Sequence, residues 1–187
     1  RGFGFYQVTQ RDGQRCSSAV AYLKPVLERP NLTVLTKAFT KKILLDNNRA
    51  HGVEVAHKRK SRKFYGGQVI VCGGAINSPQ LLMLSGIGPK EHLQSVGIDV
   101  KHDLAGVGQN LQDHLDICTL VSSSSHTTYD KASRVLSGLK YLFTKGGPAS
   151  SNLAEGGGFV DSKLSADGRP DIQFHFVAAM LDDHGRN

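Results

Sequence analysis

The 187 residues carry 23 Lys and Arg against 16 Asp and Glu, a formal net charge of +7, with 39% hydrophobic and 21% charged residues. That apolar share can build a core, which excludes a wholly disordered chain, and no apolar run approaches the ~20 residues needed to cross a bilayer. Five of the positive residues, Lys58, Arg59, Lys60, Arg62 and Lys63, fall in one short window, and the rest of the chain holds 18 positive against 16 negative, so the excess charge reads as a solvated hairpin tip and not as a general anionic-partner surface.

The chain opens on Arg1-Gly2-Phe3-Gly4 with neither an initiator Met nor a charged-then-apolar leader, so we expect an interior portion of a longer protein. Asp12-Gly13 marks a turn. Ser17-Ser18 can cap a helix whose apolar face is Ala19, Val20, Leu23, Val26 and Leu27, limited by Pro25 and stopped by Arg29-Pro30-Asn31. Three β-like stretches follow, 32–35, 38–45 and 52–57, with a turn at Asp46-Asn47-Asn48. The run Gln68-Val69-Ile70-Val71-Cys72 is almost wholly apolar and β-branched, the pattern of a parallel strand buried on both faces. Cys72 would then be a small buried hydrophobe. Cys16, Cys72 and Cys118 are too far apart to suggest a zinc pair or a disulfide scaffold, so no metal is expected and a reducing compartment fits.

After Gly73-Gly74, Ser78 can serve as a helix N-cap, with Pro79 at the first helical position and Gly86 just past the end. A second short helix should run from Pro89 to before Gly97, and residues 106–115 suit an ordered loop. The composition then turns polar over 122–128. A helix over about 131–143 follows, broken by Gly146-Gly147-Pro148. Gly156-Gly157-Gly158 leads into Phe159-Val160, and residues 171–177 alternate as a half-buried strand. The pattern predicts a mixed α/β (α+β) fold in two parts, 1–117 and 118–187, with a β-meander attached to the first.

Chemistry can sit where strand, Gly73-Gly74 and helix meet, because glycine lets a ligand approach the backbone closely. On these residues alone a tight strand-to-helix turn is the favoured explanation. The dinucleotide fingerprint GxGxxG is absent: Gly106-Val107-Gly108 has half its spacing, but position 111 is Leu and no strand precedes it. Glu155 and His175 read on their own as a solvated loop carboxylate and a structural strand histidine.

The continuous segment Gly74-Ala75-Ile76-Asn77-Ser78-Pro79-Gln80-Leu81-Leu82-Met83-Leu84-Ser85-Gly86-Ile87-Gly88-Pro89 resembles the second signature of the glucose–methanol–choline flavin oxidoreductases. Leu104-Ala105-Gly106-Val107-Gly108-Gln109-Asn110-Leu111-Gln112-Asp113-His114 is similar to the family's next block, with Ala105 where proline is usual. Ala21-Tyr22-Leu23, Asn31-Leu32-Thr33-Val34-Leu35-Thr36 and Gly52-Val53-Glu54 also fit. Arg169-Pro170-Asp171-Ile172-Gln173-Phe174-His175-Phe176 and Asp183-His184-Gly185-Arg186 resemble the choline-oxidising branch. The likeness covers essentially the whole chain.

The resemblance implies FAD, covalent or not, on a Rossmann-like domain over 1–117, with the substrate on an antiparallel sheet over 118–187. Residue by residue, it implies adenine contact at Thr40, where the family usually has Val and uses its backbone. Gly73 and Gly74 would lie against the adenosine half of FAD, and Asn110 and His114 near the flavin entrance. Glu155 would face a trimethylammonium group and His175 the substrate alcohol. It places the catalytic base and the dinucleotide fingerprint outside these 187 residues, so no catalytic residue is assigned here and the isolated chain is expected to be inactive. The implied partner is a small-molecule alcohol, choline first and an aliphatic or aryl alcohol as the alternative, with the electron acceptor open and no nucleic acid. A basic binding module for nucleic acid or lipid is the competing class, but no aromatic interleaving accompanies the basic run beyond Phe64-Tyr65. A cytoplasmic or peripherally membrane-associated location follows as the expectation, the basic tip being the lipid-facing element.

Overall fold

The computed structural model describes residues 2–124, 128–129 and 132–179. They form two compact units: Thr33–Leu115, and Arg1–Leu32 together with Asp116–Asn187 so far as these are described. Both mix helix and sheet, as the sequence leads one to expect.

In the unit Thr33–Leu115, β4 (Ala38–Asp46), β5 (Arg49–His57) and β6 (Lys60–Tyr65) make an antiparallel meander in that order. Two tight turns close it, each with two residues in the left-handed region: Asn47 and Asn48 at φ 46° and 62°, Lys58 and Arg59 at 50° and 61°. Asparagine adopts that region readily, which makes the first turn legible; a Lys-Arg pair does so at some cost. The basic window is thus corrected from a tip alone to a tip plus an edge strand, with Lys60, Arg62 and Lys63 inside β6. The pairing of β4 with β5 slips between Thr40 and Lys42 and again between Leu44 and Leu45.

Helix α1 (Gly74–Leu84) packs against β4. It begins four residues before the expected cap at Ser78, so Pro79 lies inside it. Gly74 at φ +83° allows the chain to turn into the helix at once, and Pro79 then leaves the Ala75 carbonyl without an intrahelical donor. The end is as expected: Gly86, at φ +87°, sends its N–H to the Met83 carbonyl at 2.9 Å. Helix α2 (Lys90–Ser95) closes with Ile98 N–H on the Leu93 carbonyl and Gly97 N–H on that of Gln94, and Leu93 is fully buried. A two-residue parallel pair, β7 (Ile87–Gly88) with β8 (His102–Asp103), flanks α2.

Ser85 joins helix to meander. Its side chain is 1% exposed, accepts the Ile43 N–H at 2.8 Å and donates to the Leu81 carbonyl at 2.6 Å. Ile43 and Val55 are the buried residues of the sheet beside it.

Two expected strands do not form. Residues 68–72 pair with no described strand, Ile70 is 77% exposed and Cys72 is exposed. A strand buried on both faces needs a neighbour along each edge, and no described strand lies beside this one. Residues 32–35 are unpaired for the same reason.

In the other unit, β1 (Gly2–Phe5), β9 (Gly156–Val160) and β10 (Ile172–Phe176) form an antiparallel sheet with β9 central. All five residues of β10 are exposed, not half-buried; β10 is an edge strand of this sheet. The Asp12-Gly13 turn links β2 (Gln10–Arg11) to β3 (Gln14–Arg15). The helical stretch at Ala19–Val26 is present but irregular, a π-turn followed by a 3₁₀ turn at Pro25. Ser17, not Ser18, offers its hydroxyl there, to the Val20 N–H at 3.4 Å. Helix α3 (Arg134–Thr144) is capped by Ser133, whose hydroxyl accepts the Leu136 N–H. Lys131 and the segment 183–186 lie outside the described residues.

Removing the Ser85 hydroxyl leaves the Ile43 N–H buried without an acceptor. Ser85→Ala should therefore destabilise the protein by about 1–3 kcal/mol in denaturant unfolding, whereas truncating the exposed Ser95 should cost much less.

Candidate functional site

The expected cofactor residues all belong to the unit Thr33–Leu115. Thr40 is half-buried on β4 at the first register slip, a bulge that re-aims the local backbone. Gly73 is the cap residue of α1, and a Cβ there would press on the Ser78 nitrogen at 3.1 Å and the Asn77 carbonyl carbon at 3.2 Å. Gly74 needs glycine for its conformation, and the space beyond it is open: an added Cβ meets nothing within 4 Å. This turn thus presents bare backbone to whatever lies above it.

An open groove of about 720 Å³ runs between α1 and the loop after Gly106. Ile76, Pro79 and Met83 line it on the helix side, and Gln109, Asn110 and Gln112 on the loop side. Apolar surface with a few amide groups suits a large, flat, heteroaromatic ligand. Asn110 sits in this lining with φ 55°. Thr40, Gly73, Gly74 and His114 do not line the groove; the His114 side chain is 87% exposed, with its Nε2 3.9 Å from Asp113. The residues present fit a dinucleotide-sized flavin on two counts, the bare glycine turn and the mixed groove.

The two expected substrate residues belong to the β1–β9–β10 unit. His175 on β10 stands opposite Gly157, which stands opposite Gly4 on β1. Glu155 directly precedes β9, and its carbonyl accepts the Tyr6 N–H at 2.9 Å. By strand alternation Glu155, Gly157, His175 and Tyr6 share one face, whereas Phe3, Phe5, Phe174 and Phe176 share the other. Phe3 and Phe174 lie across Gly158 with ring centroids 5.7 Å apart.

The Glu155 carboxylate is held in place. The Tyr129 hydroxyl donates to its Oε1 at 2.6 Å, and Ser151 supplies a second side-chain hydrogen bond. Those bonds, Ser151 first and Tyr129 next, lower its pKa below the ordinary glutamate value. Tyr129 moves the opposite way, raised by burial and then by Glu155. A carboxylate so held stays ionised and retains outward lone pairs for a cation.

Sequence reasoning missed Tyr129, Ser151 and Tyr6. Tyr129 is an aromatic residue in an otherwise polar stretch, the one local signal available. Ser151 and Tyr6 offered none, since their roles depend on pairings far along the chain.

A family model described as GMC oxidoreductase matches residues 1–116. The chain is 47% identical over 193 aligned positions to an alcohol dehydrogenase [acceptor] of Pseudomonas putida, covering 99% of this chain and 35% of that protein. It is 43% identical over 191 positions to the mitochondrial choline dehydrogenase of Homo sapiens, covering 99% and 32% respectively. A structure of formate oxidase from Aspergillus oryzae RIB40, solved to follow the effect of a mutation on FAD modification, superposes with a TM-score of 0.76 at 26% identity, over 91% of this chain and 34% of that one. The chain thus spans about a third of the length of the curated relatives it matches. With most of its length matched by the family model and nearly all of it by these relatives, the chain belongs to the GMC oxidoreductase family.

Proposed function

We propose that this chain serves an FAD-dependent dehydrogenase that oxidises an alcohol by hydride transfer, with choline the favoured substrate. The observation that carries the choline reading is Glu155, kept ionised by Ser151 and Tyr129 on the same sheet face as His175. When bound, FAD supplies the acceptor for the hydride leaving the alcohol carbon. Of the expected 1–117 portion, the unit Thr33–Leu115 would contribute to the flavin domain: Gly73 and Gly74 as bare backbone, Thr40 through its bulged strand, Asn110 in the groove lining and His114 just after it in the chain, whereas β1 pairs with β9 of the substrate-side sheet. Residues 118–187 would contribute to the substrate domain. There Glu155 attracts the trimethylammonium group, and His175 offers a ring nitrogen to the alcohol oxygen as negative charge builds on it. No group of this chain is assigned as the base. A neutral aliphatic or aryl alcohol is the second reading, favoured by the alcohol dehydrogenase at 47% identity; Glu155 would then accept a hydrogen bond.

Among the described residues no helix is long and apolar enough to cross a membrane. The basic turn and edge strand of β5–β6 would be the contact in a peripheral association with anionic lipid.

In the flavin-loaded enzyme, Glu155→Gln should raise KM for choline about 10-fold or more while changing KM for a neutral alcohol of equal size about 2-fold at most. Equal effects on both would end the cation reading. Tyr129→Phe removes one bond that holds the Glu155 pKa down, so the carboxyl resonance of Glu155 should titrate at higher pH by NMR. Choline binding should correspondingly be lost earlier as pH falls. Replacing Lys58, Arg59, Lys60, Arg62 and Lys63 with glutamine should abolish co-sedimentation with anionic vesicles; binding that survives rules out this contact.

A further inference from the structure

We infer that Tyr6 is a positioning residue that fixes the His175 imidazole relative to Glu155; the inference rests on the reading of His175 and Glu155 as the substrate face. Tyr6 touches the surroundings of both. Its backbone N–H donates to the Glu155 carbonyl at 2.9 Å, which continues the β1–β9 ladder one residue beyond Phe5. Its ring lies against the imidazole of His175, centroids 5.3 Å apart and planes tilted by 37°. Its hydroxyl donates to the Phe174 carbonyl at 2.6 Å, two strands away.

Glycine makes this reach possible. Tyr6 starts on β1 and ends on β10, so its ring must cross central strand β9 directly above Gly157. A Cβ at 157 would collide with the Tyr6 hydroxyl and the Phe174 carbonyl oxygen. The phenol anchor and the Glu155 pairing fix Tyr6 at both ends, and the ring between them limits the rotamers open to His175. Such support matters because a group that meets the reacting oxygen loses rate steeply when misplaced by an ångström.

The test uses the flavin-loaded enzyme and a two-residue cycle. Tyr6→Leu should lower kcat about 10-fold with KM changed about 2-fold or less, because the interaction it misaligns matures in the transition state. Tyr6→Phe keeps the ring against the imidazole but loses its anchor on the Phe174 carbonyl, and should fall in between, about 3-fold below the parent kcat. In a His175→Ala background Tyr6→Leu should have no further effect on kcat. An equal loss in both backgrounds would make Tyr6 a structural brace only and overturn the inference. A phenylalanine variant as impaired as leucine would also overturn it. If His175→Ala alone leaves kcat unchanged, the substrate-face reading fails and the positioning role with it. Should the leucine variant not fold, the unsubstituted protein still decides: nuclear Overhauser contacts between the Tyr6 ring protons and the His175 imidazole are required, and their absence is incompatible with the inference.

Discussion

The unit that carries the glycine turn depends on one hydroxyl. Ser85 lies just past the end of α1, where the edge N–H of Ile43 on β4 would otherwise be buried without a partner, while its own N–H closes the helix on the Leu81 carbonyl at 3.1 Å. By accepting from Ile43 and donating to Leu81 it satisfies both elements with one side chain. The few buried apolar residues nearby, Ile43, Val55, Leu93 and Val107, supply burial without direction. The hydroxyl supplies direction. It sets where α1 ends on the sheet, and so where its start, Gly73-Gly74, and the groove along its side are held.

The β1–β9–β10 unit relies on a different constraint, the absence of side chains. Three successive glycines open its central strand, so residues of the outer strands come together over them: Phe3 and Phe174 across Gly158 on one face, Tyr6 and His175 over Gly157 on the other. An alanine at either glycine would meet its neighbours at impossible distances. The loss of β-propensity at these glycines is the local cost of that crossing.

How much of this was legible in the sequence depended on range. The Asn47-Asn48 turn, the closure of α2 at Gly97 and the αL stop at Gly86 are written within four or five residues, and each stands as expected. Residues 68–72 carry an apolar pattern whose meaning lies in neighbours, so the pattern alone misjudged their exposure. The basic strand β6 has no apolar alternation to announce it; it is a strand because β5 pairs with it. Family motifs drew attention to Asn110, Glu155 and His175, whereas Tyr6 and Tyr129 stayed hidden because long-range register, not spacing, brings them to His175 and Glu155.

The register also governs the order in which structure can arise. The meander pairs wholly within Ala38–Tyr65, with tight turns and small loop-closure entropy. The bond from Tyr6 to Phe174 spans 168 residues. In N-to-C synthesis, Phe3, Phe5 and Tyr6 emerge long before β9 exists, so their aromatic rings wait without a sheet to join. Strand β1 is thus made long before the strand that places it.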